Sequence, residues 1–87
     1  MTIGFPNHSR TYDASRQAVR FWGYDQTLEV MFRIDRFALA RIDADSGQDE
    51  GSLLSAFDRH RDRIVRVAGD VYARRPSAMC QLVEGDF

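Results

Sequence analysis

The longest regular pattern of apolar and polar residues runs over residues 50–75. Apolar side chains recur there at intervals of three and four, which is the spacing of one face of an α-helix. These residues are Leu53, Phe57, Ile64, Val67, Ala68 and Val71, and charged residues occupy the opposite side. The pattern predicts one long amphipathic helix. Pro76 is expected to end it, because the residue before a proline avoids the helical conformation.

Two earlier stretches alternate between apolar and polar residues, which is the pattern of half-buried strands. The first covers residues 16–22 and the second residues 27–34, and residues 23–26 form the turn between them. Since this turn is short, the two strands are predicted to pair as an antiparallel hairpin.

A short helix and a final strand are predicted on either side of the long helix. Asp35 is placed to cap a helix over residues 36–43, because its carboxylate can accept hydrogen bonds from the first free backbone N–H groups. Either Asp49 or Ser52 can cap the long helix in the same way, and the pattern does not choose between them. Residues 77–83 are predicted to form the last strand.

The remaining segments complete the predicted architecture. Residues 7–15 and 44–48 are polar and are expected to be loops. Residues 3–6 end in a proline, so they suit either an edge strand or an extended arm. The order β-β-α-α-β, with this optional N-terminal strand, predicts an α+β fold in which two helices pack on one face of a small antiparallel sheet. We expect residues 1–87 to form a single domain.

The inward faces of these elements define a predicted core, while the order of the strands stays open. Its members are Phe21, Leu28, Val30, Phe32, Ile34, Leu39, Ile42, Leu53, Phe57, Ile64, Val67, Ala68 and Val71. The alternation that turns Phe21 inward turns Trp22 to the opposite face of the same strand.

Composition narrows the class of protein. The chain has 87 residues with 12 basic and 13 acidic side chains, which give a net charge of −1. This balance argues against a protein that binds nucleic acid or anionic lipid with its whole surface. No apolar run approaches the ~20 residues needed to span a bilayer, and the N-terminal residues lack the long apolar segment of a signal peptide. A cytoplasmic protein without membrane attachment is therefore expected.

No pattern in the chain indicates a catalytic, cofactor-binding or metal site. Cys80 is the only cysteine, and the sequence places no activating base beside it, so a core role is expected. Asp58 and Asp62 share a helix face, but His60 lies about 200° round the helix from Asp58 and cannot join them as a metal ligand. We therefore expect no catalytic residue, no cofactor and no metal, and we expect that the protein is not an enzyme.

The roles of His60 and Arg61 stay open at this point. Both lie on or beside the apolar stripe of the long helix. His60 suits either a packed histidine with a hydrogen-bonded neighbour or a ligand or base. Arg61 needs either a carboxylate, such as Asp35, Asp43 or the C-terminus, or a route to water, or it marks a contact surface.

The outer face of the predicted hairpin is the candidate interaction surface. It combines arginine, aromatic and methionine side chains, types that are enriched at protein interfaces. Its members are Arg16, Arg20, Trp22, Tyr24, Met31 and Arg33. The expected partner is another protein or a second copy of the chain, although the pattern also fits an ordinary solvated face. The alternative is a nucleic-acid-binding module that uses Arg16, Arg20 and Arg33 with the nearby aromatic side chains. Glu29 on the same face and the net charge disfavour it.

Residues along nearly the whole chain resemble a known family. The matching segments are Ile3-Gly4-Phe5-Pro6, Val19-Arg20-Phe21-Trp22-Gly23, Phe32-Arg33-Ile34 with Ala38-Leu39, Ala56-Phe57 with Arg61 and Ile64, Tyr72, and Asp86-Phe87. Together they resemble the bacterial domain of unknown function 1488 family. The resemblance implies a small stand-alone α+β protein. It implies no activity and no site residues, since the family has none established.

Overall fold

Helices pack on one side of a four-stranded sheet in the computed structural model, which describes residues 3–6 and 8–87. Along this part of the chain the order is three strands, three α-helices, a fourth strand and a short 3-10 helix. The predicted α+β fold is confirmed. The structure adds one strand and one helix to the predicted elements, and it changes the direction of the last strand.

The predicted hairpin forms the centre of the sheet. β2 (Ala18–Asp25) and β3 (Leu28–Asp35) pair antiparallel along their whole length. The connection is only Gln26 and Thr27, and Gln26 has a positive φ of 58°, as tight hairpin turns require. The turn is therefore shorter than the predicted residues 23–26, and β2 continues through Asp25.

The first strand comes from a segment whose polarity predicted a loop. β1 (Arg10–Asp13) pairs antiparallel with β2, and residues 14–17 turn the chain between them. Only Tyr12 of this strand packs against the core, so an apolar alternation is not visible in the sequence. The loop prediction for residues 7–15 is wrong for β1, and Asn7 lies outside the described residues.

The segment before β1 is an extended arm that touches the sheet at one point. Gly4 forms an isolated antiparallel bridge with Tyr24 through backbone hydrogen bonds of 2.9 and 2.8 Å. Gly23 permits this close approach, because a Cβ added there would lie 2.8 Å from the Phe5 ring and 3.0 Å from the Gly4 carbonyl oxygen. Of the two predicted alternatives, the structure shows the arm.

The apolar stripe predicted as one helix is divided at His60. α2 (Glu50–Arg59) ends before this residue and α3 (Arg61–Arg74) begins after it, and its φ of −114° and ψ of 19° lie outside the helical region. Phe57 and Ile64 on either side are both buried. Because the apolar spacing continues across the break, the pattern could not reveal it, and the prediction of a single long helix is wrong.

An aspartate caps the N-terminus of the short first helix and another caps the N-terminus of α2. α1 (Arg36–Ile42) follows Asp35, whose carboxylate accepts from the backbone N–H of Ala38 at 2.9 Å. Asp49 caps α2 by accepting from the backbone N–H of Ser52 at 3.2 Å. The choice left open between these two residues is therefore decided for Asp49.

The last strand runs parallel to its neighbour. β4 (Met79–Leu82) pairs with β3, and the sheet order is β1-β2-β3-β4. The three helices form the crossover between β3 and β4, which a parallel pair requires because the chain must return to the same end of the sheet. The sheet is mixed, so the prediction of an antiparallel sheet is wrong at this edge.

The core lies between the inner face of the sheet and the helices. The Phe21 ring lies 5.4 Å from the Phe32 ring and 5.0 Å from the Phe57 ring, measured between centroids. Most of the predicted core is buried, but Leu28 at the hairpin end is 53% exposed and is not a core residue. Ile42 and Val67 are only half-buried and pack against the core. The structure adds further buried residues, among them Val19, Ala38, Ala56, Tyr72, Cys80 and Leu82.

Candidate interaction surface on the outer sheet face

The sheet face opposite the helices carries side chains from all four strands, and we call it the outer face. Alternation along each strand and the pairing between strands place these residues there. Its central members are Thr11, Arg20, Trp22, Tyr24, Glu29, Met31, Arg33, Met79 and Gln81.

Three apolar side chains form a row across the middle of this face. Trp22 lies directly opposite Met31 in the ladder between β2 and β3, and Met31 lies opposite Met79 of β4. Trp22 and Met31 are half-buried, and Met79 is 41% exposed. We call these residues the apolar row.

Two arginines form the neighbouring row on one side. Arg20 lies opposite Arg33, and Arg33 lies opposite Gln81. The Arg33 Nε donates to the Gln81 side-chain oxygen at 2.7 Å, which fixes this guanidinium against β4. The Arg20 Nε is buried and finds no hydrogen-bond acceptor among residues 3–6 and 8–87. These three residues are the arginine row.

Tyr24 and Glu29 form the row on the other side of the apolar row. They lie opposite each other in the ladder, and the tyrosine hydroxyl donates to the glutamate at 3.1 Å. This hydrogen bond to the Glu29 carboxylate raises the pKa of Tyr24 above its ordinary value. The phenol of Tyr24 is therefore neutral at neutral pH. We call Tyr24 and Glu29 the acidic row.

The predicted surface residues divide into two groups in the structure. Arg20, Trp22, Tyr24, Met31 and Arg33 lie together on the outer face, and all five are half-buried. Arg16 does not join them. It lies exposed in the turn between β1 and β2, because β2 begins two residues later than predicted.

An acidic residue near that turn balances the basic side chains. The Ser15 hydroxyl donates to the Asp13 carboxylate at 2.8 Å and is the largest cause of the lowered pKa of Asp13. The positive charges of Arg16 and Arg20 lower it further. With Glu29 also on the face, the arginines are not part of a uniformly basic patch.

Three outer-face residues were not predicted from the sequence, and one of them, Thr11, lies on β1, in the segment predicted as a loop. Met79 and Gln81 reach the face because β4 lies beside β3 in a parallel register. Strand order and direction are not encoded in the alternation of one strand. The predicted strand over residues 77–83 was the available signal, but nothing in it indicated a neighbour.

His60 and Asp43 meet at the junction between the helices. The His60 Nε2 lies 3.3 Å from an Asp43 carboxylate oxygen, to which the Arg59 Nε also donates at 3.0 Å. The hydrogen bond from Arg59 is the largest cause of the lowered pKa of Asp43. His60 thus has the carboxylate neighbour expected for a packed histidine, at the residue where the two helices separate.

Arg61 borders an open groove beside the same C-terminal end of α2. The groove has a volume of about 530 Å³ and is lined by His8, Ser9, Arg10, Asp58 and Arg61. The Arg10 Nε donates to one carboxylate oxygen of Asp58 at 3.0 Å, and a terminal guanidinium nitrogen of Arg10 donates to the other at 2.8 Å. Arg61 donates to the Phe5 carbonyl oxygen at 3.4 Å. These contacts tie the N-terminal arm and β1 to the helices.

Cys80 and the potential metal ligands are the remaining groups that were candidates for chemistry. Cys80 is buried, as expected for a core residue, and burial is the main cause of its raised pKa. Such a thiol is a poor nucleophile at neutral pH. Among the residues that the structure describes, no group of three or more potential ligands could hold a metal ion. In the same residues, no helix combines the length and apolar character that crossing a bilayer demands.

Comparison with known proteins identifies the family. The family model described as protein of unknown function (DUF1488) matches residues 3–82. The chain belongs to the DUF1488 family. A crystal structure of a DUF1488 protein of unknown function from Shewanella loihica PV-4 superposes with a TM-score of 0.81, covering 93% of this chain and 91% of that chain. The two sequences are 20% identical, so this likeness shows the fold alone, and no curated protein is significantly similar to the chain.

Proposed function

We propose that this DUF1488 protein is a binding protein, not an enzyme, and that it associates through the outer face of its sheet with a protein partner, either another protein or a second copy of the chain. The observation that supports this most strongly is the apolar row. Trp22, Met31 and Met79 lie side by side on three adjacent strands, on the face opposite the helices.

The mixture of residue types on this face favours a protein as the partner. Tryptophan, methionine, tyrosine and arginine are enriched at the centres of protein interfaces, where large side chains supply contact area and polar groups supply direction. The apolar row has polar rows on both sides, which matches an apolar centre with a polar rim. Burying the half-exposed part of Trp22 and Met31 would release apolar surface from water.

Nucleic acid is the disfavoured alternative. Phosphate contacts would have to come from Arg20 and Arg33, but Glu29 lies on the same face. Arg16, the third arginine of that hypothesis, lies away from the face in the turn. A carboxylate on the contact surface repels phosphate, so protein is the better match.

Site-specific photocrosslinking in the organism that encodes the chain tests the proposal. A photoreactive amino acid is placed at Met31, and the matched control carries it at Arg63, an exposed position on α3. We expect protein adducts from Met31 that are absent from Arg63 and that survive nuclease treatment. Equal adducts from both positions, none from Met31, or adducts that nuclease removes would each overturn the proposal.

A further inference from the structure

We infer that the partner of the outer face is a second copy of the chain, related by a twofold axis that lies in the interface and crosses the strands at the apolar row. The inference rests on the proposed function of that face and specifies its partner. It follows from the order of the three rows along the strands.

The rows are arranged symmetrically in position and oppositely in charge. Adjacent rows are two residues apart, about 7 Å along the strand, so the arginine row and the acidic row lie at equal distances from the apolar row. One side of the apolar row carries Arg20 and Arg33, and the other carries Tyr24 and Glu29. This is the arrangement that a self-complementary surface needs.

A twofold axis perpendicular to the strands exchanges these two outer rows. Each β3 then lies antiparallel over the β3 of the other copy, and the apolar row packs on its own equivalent. Arg33 faces Glu29 of the partner subunit, and Arg20 faces the ring of Tyr24 of the partner subunit. Both contacts are attractive, since the first is an ion pair and the second places a guanidinium on an aromatic face.

The alternative axis, along the strands, is excluded by the same charges. It would place the arginine row of each copy over the arginine row of the other, and like charges that face each other across an interface are strongly unfavourable. The distribution of charge therefore selects one of the two simple packings of sheet on sheet. Its strand directions agree with aligned packing, in which facing strands lie within about 30° of each other.

The small size of the face indicates a weak association. Four strands spaced about 4.8 Å apart and three rows of side chains make a face of roughly 19 by 20 Å. Two copies would bury about 800 Å² in total, which is below the size of stable interfaces and in the range of weak ones. A weak, reversible dimer is the expected result. The net charge of −1 adds little long-range repulsion between copies.

Sedimentation equilibrium with charge-reversed variants tests the inference. Arg33→Glu and Glu29→Arg should each weaken the dimer about tenfold or more, because each places like charges opposite one another at two symmetric contacts. An equimolar mixture of the two variants should form a heterodimer, because opposite charges then face each other at both contacts. The chain that carries both changes should dimerise again for the same reason. Arg63→Glu, the matched reversal on α3, should leave the association unchanged.

A contact within one chain cannot explain why the chain that carries both changes dimerises again. Residues 29 and 33 are about 14 Å apart on the same strand, beyond the ~10 Å screening length at 0.1 M salt. A coupling between them therefore reports a contact between two copies.

Three results would overturn the inference. The first is a wild-type chain that stays monomeric at millimolar concentration. The second is a mixture of the two folded variants that forms no heterodimer. The third is an Arg63→Glu variant that dimerises as weakly as Arg33→Glu. If the Met31 crosslinker captures a different protein while the chain is monomeric, the proposed function stands and this inference fails. If Met31 captures nothing, both fail.

Discussion

The two faces of the sheet are built from the same strands but differ in what covers them. On the inner face, Phe21 and Phe32 pack against Phe57 of α2, with ring centroids 5.0 to 5.4 Å apart around Phe21. On the outer face, Trp22 and Met31 pack mainly against strand neighbours and stay half-buried. Alternation thus supplied apolar side chains to both faces, while the helices cover only one. The outer face therefore keeps apolar surface that the helices do not cover.

The largest expected effect is on the inner face. Phe57→Ala removes a ring that is 1% exposed and leaves a cavity between α2 and the sheet. We expect a loss of about 3–5 kcal/mol in the free energy of unfolding, which urea denaturation measures. Leu28→Ala, at a position that is 53% exposed, is the control and should change the stability little. Equal losses at the two positions would contradict the placement of Phe57 in the core and of Leu28 on the surface.

The inner face should also be destabilised when volume is added to it instead of removed. Gly23→Ala places a Cβ 2.8 Å from the Phe5 ring and 3.0 Å from the Gly4 carbonyl oxygen. We expect about 1–3 kcal/mol of destabilisation, because the N-terminal arm must move away from β2. Denaturation measures the loss, and faster hydrogen exchange at the Gly4 amide would show that the arm has moved. Gly85→Ala is the control, since a Cβ there meets nothing within 4 Å, and a Gly23→Ala variant as stable as it would contradict the tight contact.

Trp22→Ala should abolish dimerisation while it lowers the stability of the fold only slightly. The side chain is half-buried among cross-strand neighbours, and such pairs contribute about 0.2–1 kcal/mol each. A stability loss of about 1 kcal/mol is therefore expected, together with loss of the dimer in sedimentation equilibrium. A loss as large as that of Phe57→Ala would mean that Trp22 belongs to the core. A dimer that survives would argue against the outer face as its interface.

The smallest expected effect concerns pH and lies away from both faces, at the helix junction. The hydrogen bond from Arg59 lowers the pKa of Asp43 in the folded state. This carboxylate therefore stabilises the fold above its unfolded-state pKa of about 3.9, and its contribution is lost as the pH falls through the lower folded-state pKa. Asp43→Asn should flatten the fall of stability with pH below about pH 4.

Urea denaturation at several pH values measures this dependence. Asp70→Asn, on the exposed side of α3, controls for the loss of one negative charge. A curve for Asp43→Asn that runs parallel to wild type throughout would show that the ion pair with Arg59 does not couple to folding.

Local patterns predicted the elements that depend on neighbouring residues. The alternation of β2 and β3 predicted the hairpin and turned Trp22 and Met31 to the same face. Asp35 predicted the start of α1, because a cap acts on backbone groups only two or three residues away. Pro76 predicted the end of α3, which stops at Arg74. In each case the controlling interaction lies within a few residues of the chain.

The sequence by itself determined which residues are apolar, where α1 and α2 begin, and which strand faces carry Phe21 and Trp22. Only the tertiary structure decided that β4 lies parallel to β3, that the long stripe divides at His60, and that Met79 joins the outer face while Arg16 leaves it. These outcomes depend on contacts between residues far apart in the chain. The period of a single helix or strand records which side is buried, and it carries no information about the neighbour that buries it.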